Sequence, residues 1–116
     1  MINSDKILSI CKKYSEISNS RYNKIGAVIC KDNKILSVGF SYSYDRNNHV
    51  SEIIRCLINL KNKYIDNTIL YVYNQNNNYK ITRSELNLLY EYGVKYIVIN
   101  SYDKKYRIKD LLYKGA

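Results

Sequence analysis

The chain has 116 residues, 46% of them hydrophobic and 25% charged, which is the size and balance of one globular domain that can bury roughly two-thirds of its unfolded surface without staples. No apolar run approaches the ~18 residues of a membrane-spanning helix, so a membrane protein is excluded at this level and a soluble one is expected. The formal net charge of +9 attracts polyanions over about a Debye length, but it is spread evenly. Residues 1–58 hold nine basic and five acidic side chains and residues 59–116 hold ten and five, so there is no dedicated basic tail.

In chain order, Asn3, Ser4 and Asp5 are capping types ahead of Ile7, Leu8, Cys11, Tyr14 and Ile17, whose spacing predicts an amphipathic helix from about 4 to 18. Ile25 to Cys30 is an apolar run too short for a helix and reads as a buried strand. Lys31-Asp32-Asn33-Lys34 is turn chemistry, and Ile35 to Ser41 returns as the second arm of a hairpin. Gly26 and Gly39 fall inside these strands, where a missing side chain permits close backbone approach. Ser41 to Asn48 is a polar loop containing Tyr42 and Tyr44.

A second helix carries Ile53, Ile54, Leu57, Ile58 and Leu60 and is expected to end near Asn62-Lys63. Thr68 to Tyr73 is another buried strand. Asn74 to Ile81 is a low-complexity loop, and Thr82-x-x-Glu85 is a capping box opening a third helix that Gly93 closes. Val94 to Ile99 is a third apolar strand, and Ile108 to Tyr113 a short final helix. This order predicts an α/β fold over residues 1–116 as a single domain: a three-layer α/β/α sandwich with a mixed sheet, its last strands parallel and joined by right-handed crossovers.

Cys11, Cys30 and Cys56 stand far apart inside apolar patterns without a Cys-x-x-Cys pair and read as buried thiols. Lys, Asn, Ile and Tyr are abundant, all with AT-rich codons, which points to an AT-rich genome such as a low-GC bacterium, a parasite or a large DNA virus. The opening Met-Ile-Asn-Ser-Asp shows no secretory or organellar address, so an intracellular location is expected, or the virion if the source is a virus.

The centre of the chain is Asn48 to Leu57. It holds the only histidine, His49, and three residues later Glu52, in the first turn of a helix where the dipole favours a carboxylate. The plain structural reading is that Ser51 or its neighbours cap the helix, Glu52 complements the dipole and His49 is a loop residue.

Four fragments, in order, resemble the cytidine/deoxycytidylate deaminase superfamily across nearly the whole chain. Lys24 to Phe40 is similar to its first hairpin, Glu52-Ile53-Ile54 with Leu57 to the helix after its His-Ala-Glu, Leu70-Tyr71-Val72 to the strand before its Pro-Cys-x-x-Cys, and Tyr92 to Ile99 to the closing strand. The resemblance implies a zinc ion held by one His or Cys and two Cys, with the Glu shuttling protons. The sequence departs from that pattern. Aligned on Glu52, the zinc-ligand position is Val50 and His49 comes one residue early, about 100° around a helix. Asn74 to Ile81 contains no Cys, His or Pro, and Ser41 stands where the family has a sugar-contacting Asn. A nonstandard Cys30/Cys56/His49 cluster is the remaining way to draw a metal site.

The expectation is therefore a catalytically inactive deaminase-fold protein with no cofactor and no metal, Glu52 being vestigial. It would serve as a structural or protein-interaction module in a homo-oligomer or with a partner of the same fold. The alternative is sequence-nonspecific binding of RNA or DNA through Lys80, Arg83, Lys104, Lys105 and Arg107, where lysines alternate with tyrosines. A nucleoside-directed enzyme built on Glu52 is a third reading.

Overall fold

The stripe Ile7, Leu8, Cys11 winds into helix α1 (Ser4–Ile17), and those three side chains are buried. The computed structural model describes residues 4–20, 23–32, 34–43, 49–61 and 65–113; Asn3, Asn33, Tyr44, Asn48 and Asn62-Lys63, named above, lie outside them. Strand β1 (Ile25–Lys31) turns through Asp32, at φ +50°, into β2 (Lys34–Phe40). The remaining main elements are α2 (Glu52–Ile58), β5 (Thr68–Asn74), α3 (Arg83–Tyr92), β6 (Val94–Ile99), β7 (Lys105–Arg107) and α4 (Ile108–Tyr113). Two short strands, β3 (Tyr42–Ser43) and β4 (His49–Val50), pair with each other between β2 and α2.

The five-stranded sheet runs β2-β1-β5-β6-β7, with β5 and β6 parallel and the other neighbours antiparallel. Alternation along each strand sorts the side chains to two faces. Val28, Cys30, Tyr71 and Val98 meet α1. Ala27, Ile29, Leu70, Val72 and Ile97 meet Ile53 and Leu57 of α2, Leu86 and Leu89 of α3, and Ile108 of α4. The result is the expected three-layer α/β/α sandwich with a mixed sheet, in which each fully buried Leu or Ile contributes about 1.5–3 kcal/mol by transfer from water. Among the described residues no helix is long and apolar enough to cross a membrane.

Three expectations are corrected. Helix α2 stops at Ile58, because Asn59 takes the C-cap and donates its side-chain amide to the Val38 carbonyl at 2.9 Å. Leu60 is buried beyond the helix end. The polar loop from Ser41 to Asn48 opens on β3 and is followed by its partner β4, a pair too short for a pattern to register. Strand β7 adds an element to the predicted order and pairs antiparallel with β6, so of the last strands only β5 and β6 are parallel; Lys105-Tyr106-Arg107 is exposed throughout and carries no alternation to mark it. The helix ends of α3 follow their signals: Thr82 and Glu85 form the reciprocal capping box, and Gly93 sits at φ +95°.

Candidate functional site

The amide of Ile54 donates to the Ser51 hydroxyl at 3.1 Å, which caps α2 and puts Glu52 in its first turn. The capping half of the plain reading is correct, but Glu52 is not a solvated dipole partner: it is only 4% exposed. Its carboxyl borders a cleft of about 400 Å³ shared with Asn23, Lys80, Thr82 and Glu85. Burial, reinforced by the negative charge of Glu85, pushes Glu52 up to about 7, against the pull of the Glu52 and Ile53 backbone amides and the Tyr79 hydroxyl. Tyr79 itself is raised well above its ordinary value by burial and by the Glu52 and Glu85 charges. The Tyr79 hydroxyl is close enough to exchange these effects, yet it is buried without closing a hydrogen bond in good geometry. The cleft thus holds a carboxyl balanced between its two protonation states near neutrality, and the Tyr79 phenol is buried near that carboxyl.

Around that cleft the positions that carry chemistry in the resemblance are occupied otherwise. His49 pairs through its backbone with Ser43, and Val50 with Tyr42; the His49 side chain is outside the described atoms. Ser41 is fully buried. Its hydroxyl donates to the Asn23 carbonyl at 2.8 Å, accepts from the Ile25 amide at 3.1 Å and lies 2.8 Å from the Ser18 hydroxyl, which itself donates to the Ser41 carbonyl at 2.6 Å, so the Ser41 side chain is engaged inside the protein.

The low-complexity loop is an ordered turn. The Asn77 amide donates to the Asn74 carbonyl at 3.0 Å, with Asn77 at φ +52°. The Asn74 side chain is 1% exposed, donates to Asn78 Oδ1 at 2.9 Å and accepts from the Asn76 amide at 3.0 Å. Asn100, at φ +62°, ties this turn to the end of β6. Its Oδ1 receives the Asn74 amide at 2.8 Å, and its Nδ2 donates to the Asn74 carbonyl and to Asn77 Oδ1, both at 3.0 Å. Asn→Asp at 100 would set acceptors against acceptors and is expected to cost about 2 kcal/mol, measured by urea unfolding at neutral pH; a loss below about 0.5 kcal/mol would show the network is not what holds the turn.

The cysteines do not assemble. Cys30 packs on the α1 face and Cys56 on the opposite one, so the Cys30/Cys56/His49 cluster cannot form around the sheet. Cys56 donates to the Ala27 carbonyl at 3.5 Å and Cys11 to the Tyr71 carbonyl at 3.4 Å. Burial pushes both thiols well above the usual range. Among the described residues no three His, Cys, Asp or Glu converge to hold a metal ion.

The five basic residues fall at two locations, all exposed. Lys80 and Arg83 stand at the head of α3 beside the Glu52 cleft, while Lys104, Lys105 and Arg107 follow the β7 edge. The Lys105 ammonium sits over the Tyr96 ring at 4.4 Å and the Tyr102 ring at 5.3 Å.

Sequence reasoning placed Tyr79 only among the tyrosines that alternate with basic residues, and passed over Asn100 and Arg55. Arg55 lies over the Phe40 ring at 4.8 Å and the Tyr42 ring at 5.6 Å, and Phe40 stacks on Tyr14 at 6.3 Å. Its Nε is buried with no acceptor among the described residues. The only sequence signal was an arginine one turn after the helix start, which is common and uninformative.

Compared by sequence, the chain matches no protein-family model and no curated protein. Compared by structure, it is similar to the dCMP deaminase from the cyanophage S-TIM5 in apo form, with a TM-score of 0.68 and 17% identity over 95% of this chain and 89% of that one. The same enzyme in complex with dCMP and dUMP gives 0.70 and 14% over 98% and 94%. The cytidine deaminase from Mycobacterium leprae gives 0.70 and 15% over 97% and 98%. At these identities the likeness establishes the fold. The zinc that this fold implies needs converging sulfur or imidazole donors, and the residues present do not fit it: Val50 offers none, and the Asn74–Asn78 turn offers amides that are already hydrogen-bonded to one another.

Proposed function

Taking the cytidine/deoxycytidylate deaminase fold as premise, we propose that this chain has set aside the deaminase reaction and works as a structural or protein-interaction module, in a homo-oligomer or beside a partner of the same fold. The observation that carries this reading is the replacement of the donor set around Glu52 by Val50 and a closed asparagine network. A carboxyl without an activated water gives little hydrolytic catalysis, and the locked Ser41 removes a ligand contact as well. The tie between the Lys105 ammonium and two tyrosine rings, and the separation of the basic residues onto two elements, weigh against the nucleic-acid reading.

The test is elemental analysis of the purified protein together with turnover assays on cytidine and deoxycytidylate with zinc supplied. Substoichiometric zinc and no turnover are expected. Stoichiometric zinc that disappears in His49→Ala, or measurable deamination, would overturn the reading. Native mass spectrometry of the protein from its natural source reports the oligomer and any co-purifying chain.

A further inference from the structure

We propose that the cleft where β5 and β6 begin is a binding site for a small molecule carrying two or more negative charges on phosphate groups. The site is separate from the Glu52 cleft, and the proposal goes beyond the interaction-module reading without resting on it.

β5 and β6 run parallel, so Thr68 and Val94 start them side by side. The turn at Asp66 and Asn67, the end of α3 and the junction of β7 with α4 border that end of the sheet and leave a cleft of about 530 Å³ between them, a size at which small molecules are held. The Glu52 cleft lies at the other end of β5, because Ile25, one of its walls, pairs with Asn74. The seven residues of β5 put the two clefts roughly 20 Å apart.

Backbone bonds hold the floor in place. The Ile65 amide donates to the Tyr92 carbonyl at 3.1 Å and the Asn67 amide to the Gly93 carbonyl at 3.0 Å, with Asn67 at φ +60°. Turn and helix end meet so closely that a Cβ added at Gly93 would stand 2.6 Å from the Asp66 carboxylate.

Lys95, Arg107 and Lys109 line the cleft, against one carboxylate, Asp66. Among the described residues none of these three cations has a hydrogen bond or an ion pair; the Lys95 ammonium has only the Tyr96 ring, at 5.7 Å. The carbonyls that end α3 would be the natural acceptors for cations there, but those of Leu89, Tyr90, Tyr92 and Gly93 each already accept a backbone amide. Cations gathered in one hollow repel one another and focus a positive potential that open surface does not sustain. An anion therefore gains more here than from the diffuse charge of the chain. Phosphate puts two charges on one compact group and can take an arginine fork at two points, whereas a lone carboxylate would leave the cleft positive. A nucleic-acid backbone needs a track of cations, and these three share a single hollow.

The experiment titrates the full chain with inorganic pyrophosphate by calorimetry, and one saturable site per chain is expected. Arg107→Gln and Lys109→Gln should each weaken it about tenfold or more. Lys80→Gln and Arg83→Gln remove the same charge at the opposite end of α3 and should change it less than about twofold. All four positions are exposed, so the fold does not depend on them. In amide NMR spectra, Asn67 and Gly93 should shift on binding while Ser51 and Glu52 stay. Fructose 1,6-bisphosphate separates the two sources of such phosphates. Asp66→Asn should tighten pyrophosphate, which meets only the charge; weaker bisphosphate binding in the same variant would assign the site to a phosphorylated polyol held by its hydroxyls, and tighter binding to phosphate groups alone. No saturable binding at millimolar pyrophosphate, equal weakening by the variants at both ends of α3, or shifts centred on Glu52 would overturn the proposal. So would displacement of pyrophosphate by oligothymidylate in an Arg107-dependent manner, which would give the surface to nucleic acid.

Discussion

Glu52→Gln is expected to stabilise the folded chain by up to about 3 kcal/mol at pH 8 and to leave it unchanged near pH 4. The direction follows from the proton count. Glu52 titrates at about 7 when folded, against 4.5 when free, so between those values the folded chain holds a proton that the unfolded chain has released. Its favourable contribution is complete below the unfolded value and is lost as pH rises through about 7, because above that a bare charge must be kept beside Glu85 in a buried place. Glutamine has the same shape and no charge to desolvate, and its amide can offer the Tyr79 hydroxyl a partner. Urea unfolding of both proteins from pH 4 to 8 checks this. A gain independent of pH, or no gain at all, would show that the carboxyl is solvated or paired. The same variant separates the functional readings: an interaction module keeps its binding when Glu52 is Gln, while loss of the native role in a more stable protein would return the argument to chemistry.

Gly26→Ala is expected to cost about 3 kcal/mol, or to undock α1 altogether. A Cβ at Gly26 would run into the Cys11 carbonyl and stand 2.6 Å from the Ser15 amide. Both are helix backbone and neither can swing aside, so the helix would have to lift from the sheet and pull Ile7, Leu8 and Cys11 off Val28 and Tyr71. For a chain of this size the loss corresponds to roughly 10 °C in melting temperature. A fall of under about 1 kcal/mol would mean that α1 can shift away from Gly26 at little cost. Gly39, whose added Cβ would stand 2.8 Å from both the Cys56 amide and the Glu52 carbonyl, plays the matching part for α2.

How far the sequence could be read depended on whether a residue announces itself through its neighbours in the chain. The strands at Ile25 and Thr68, the helix at Arg83 and its ends at Thr82 and Gly93 were legible because burial and capping leave local marks: unbroken apolar runs, a Thr-x-x-Glu box, a glycine at a left-handed turn. Strand β7 was not, since an exposed edge strand needs neither alternation nor apolar residues. In the site, the altered ligand positions were legible through the family resemblance, but the burial of Glu52 was not. A first-turn carboxylate has the same local context in water or in the core, and a group that acts on this one is Tyr79, 27 positions away in sequence. The asparagines of the Asn74–Asn78 turn suggested codon bias, and their partner Asn100 sits 26 residues on from Asn74. Composition accounts for their abundance, while only the tertiary pairing shows that four of them hold a turn together.

The three thiols divide between the two layers of the core, Cys11 and Cys30 under α1 and Cys56 under α2, at 0%, 5% and 0% exposure. Since the thiolate is the reactive form and requires access, an alkylating reagent in solution has nothing to attack until a layer opens. Chains that keep Cys11 alone or Cys56 alone therefore carry a built-in reporter for one side of the sheet, and the order in which the two become labelled reads out which helical layer separates first.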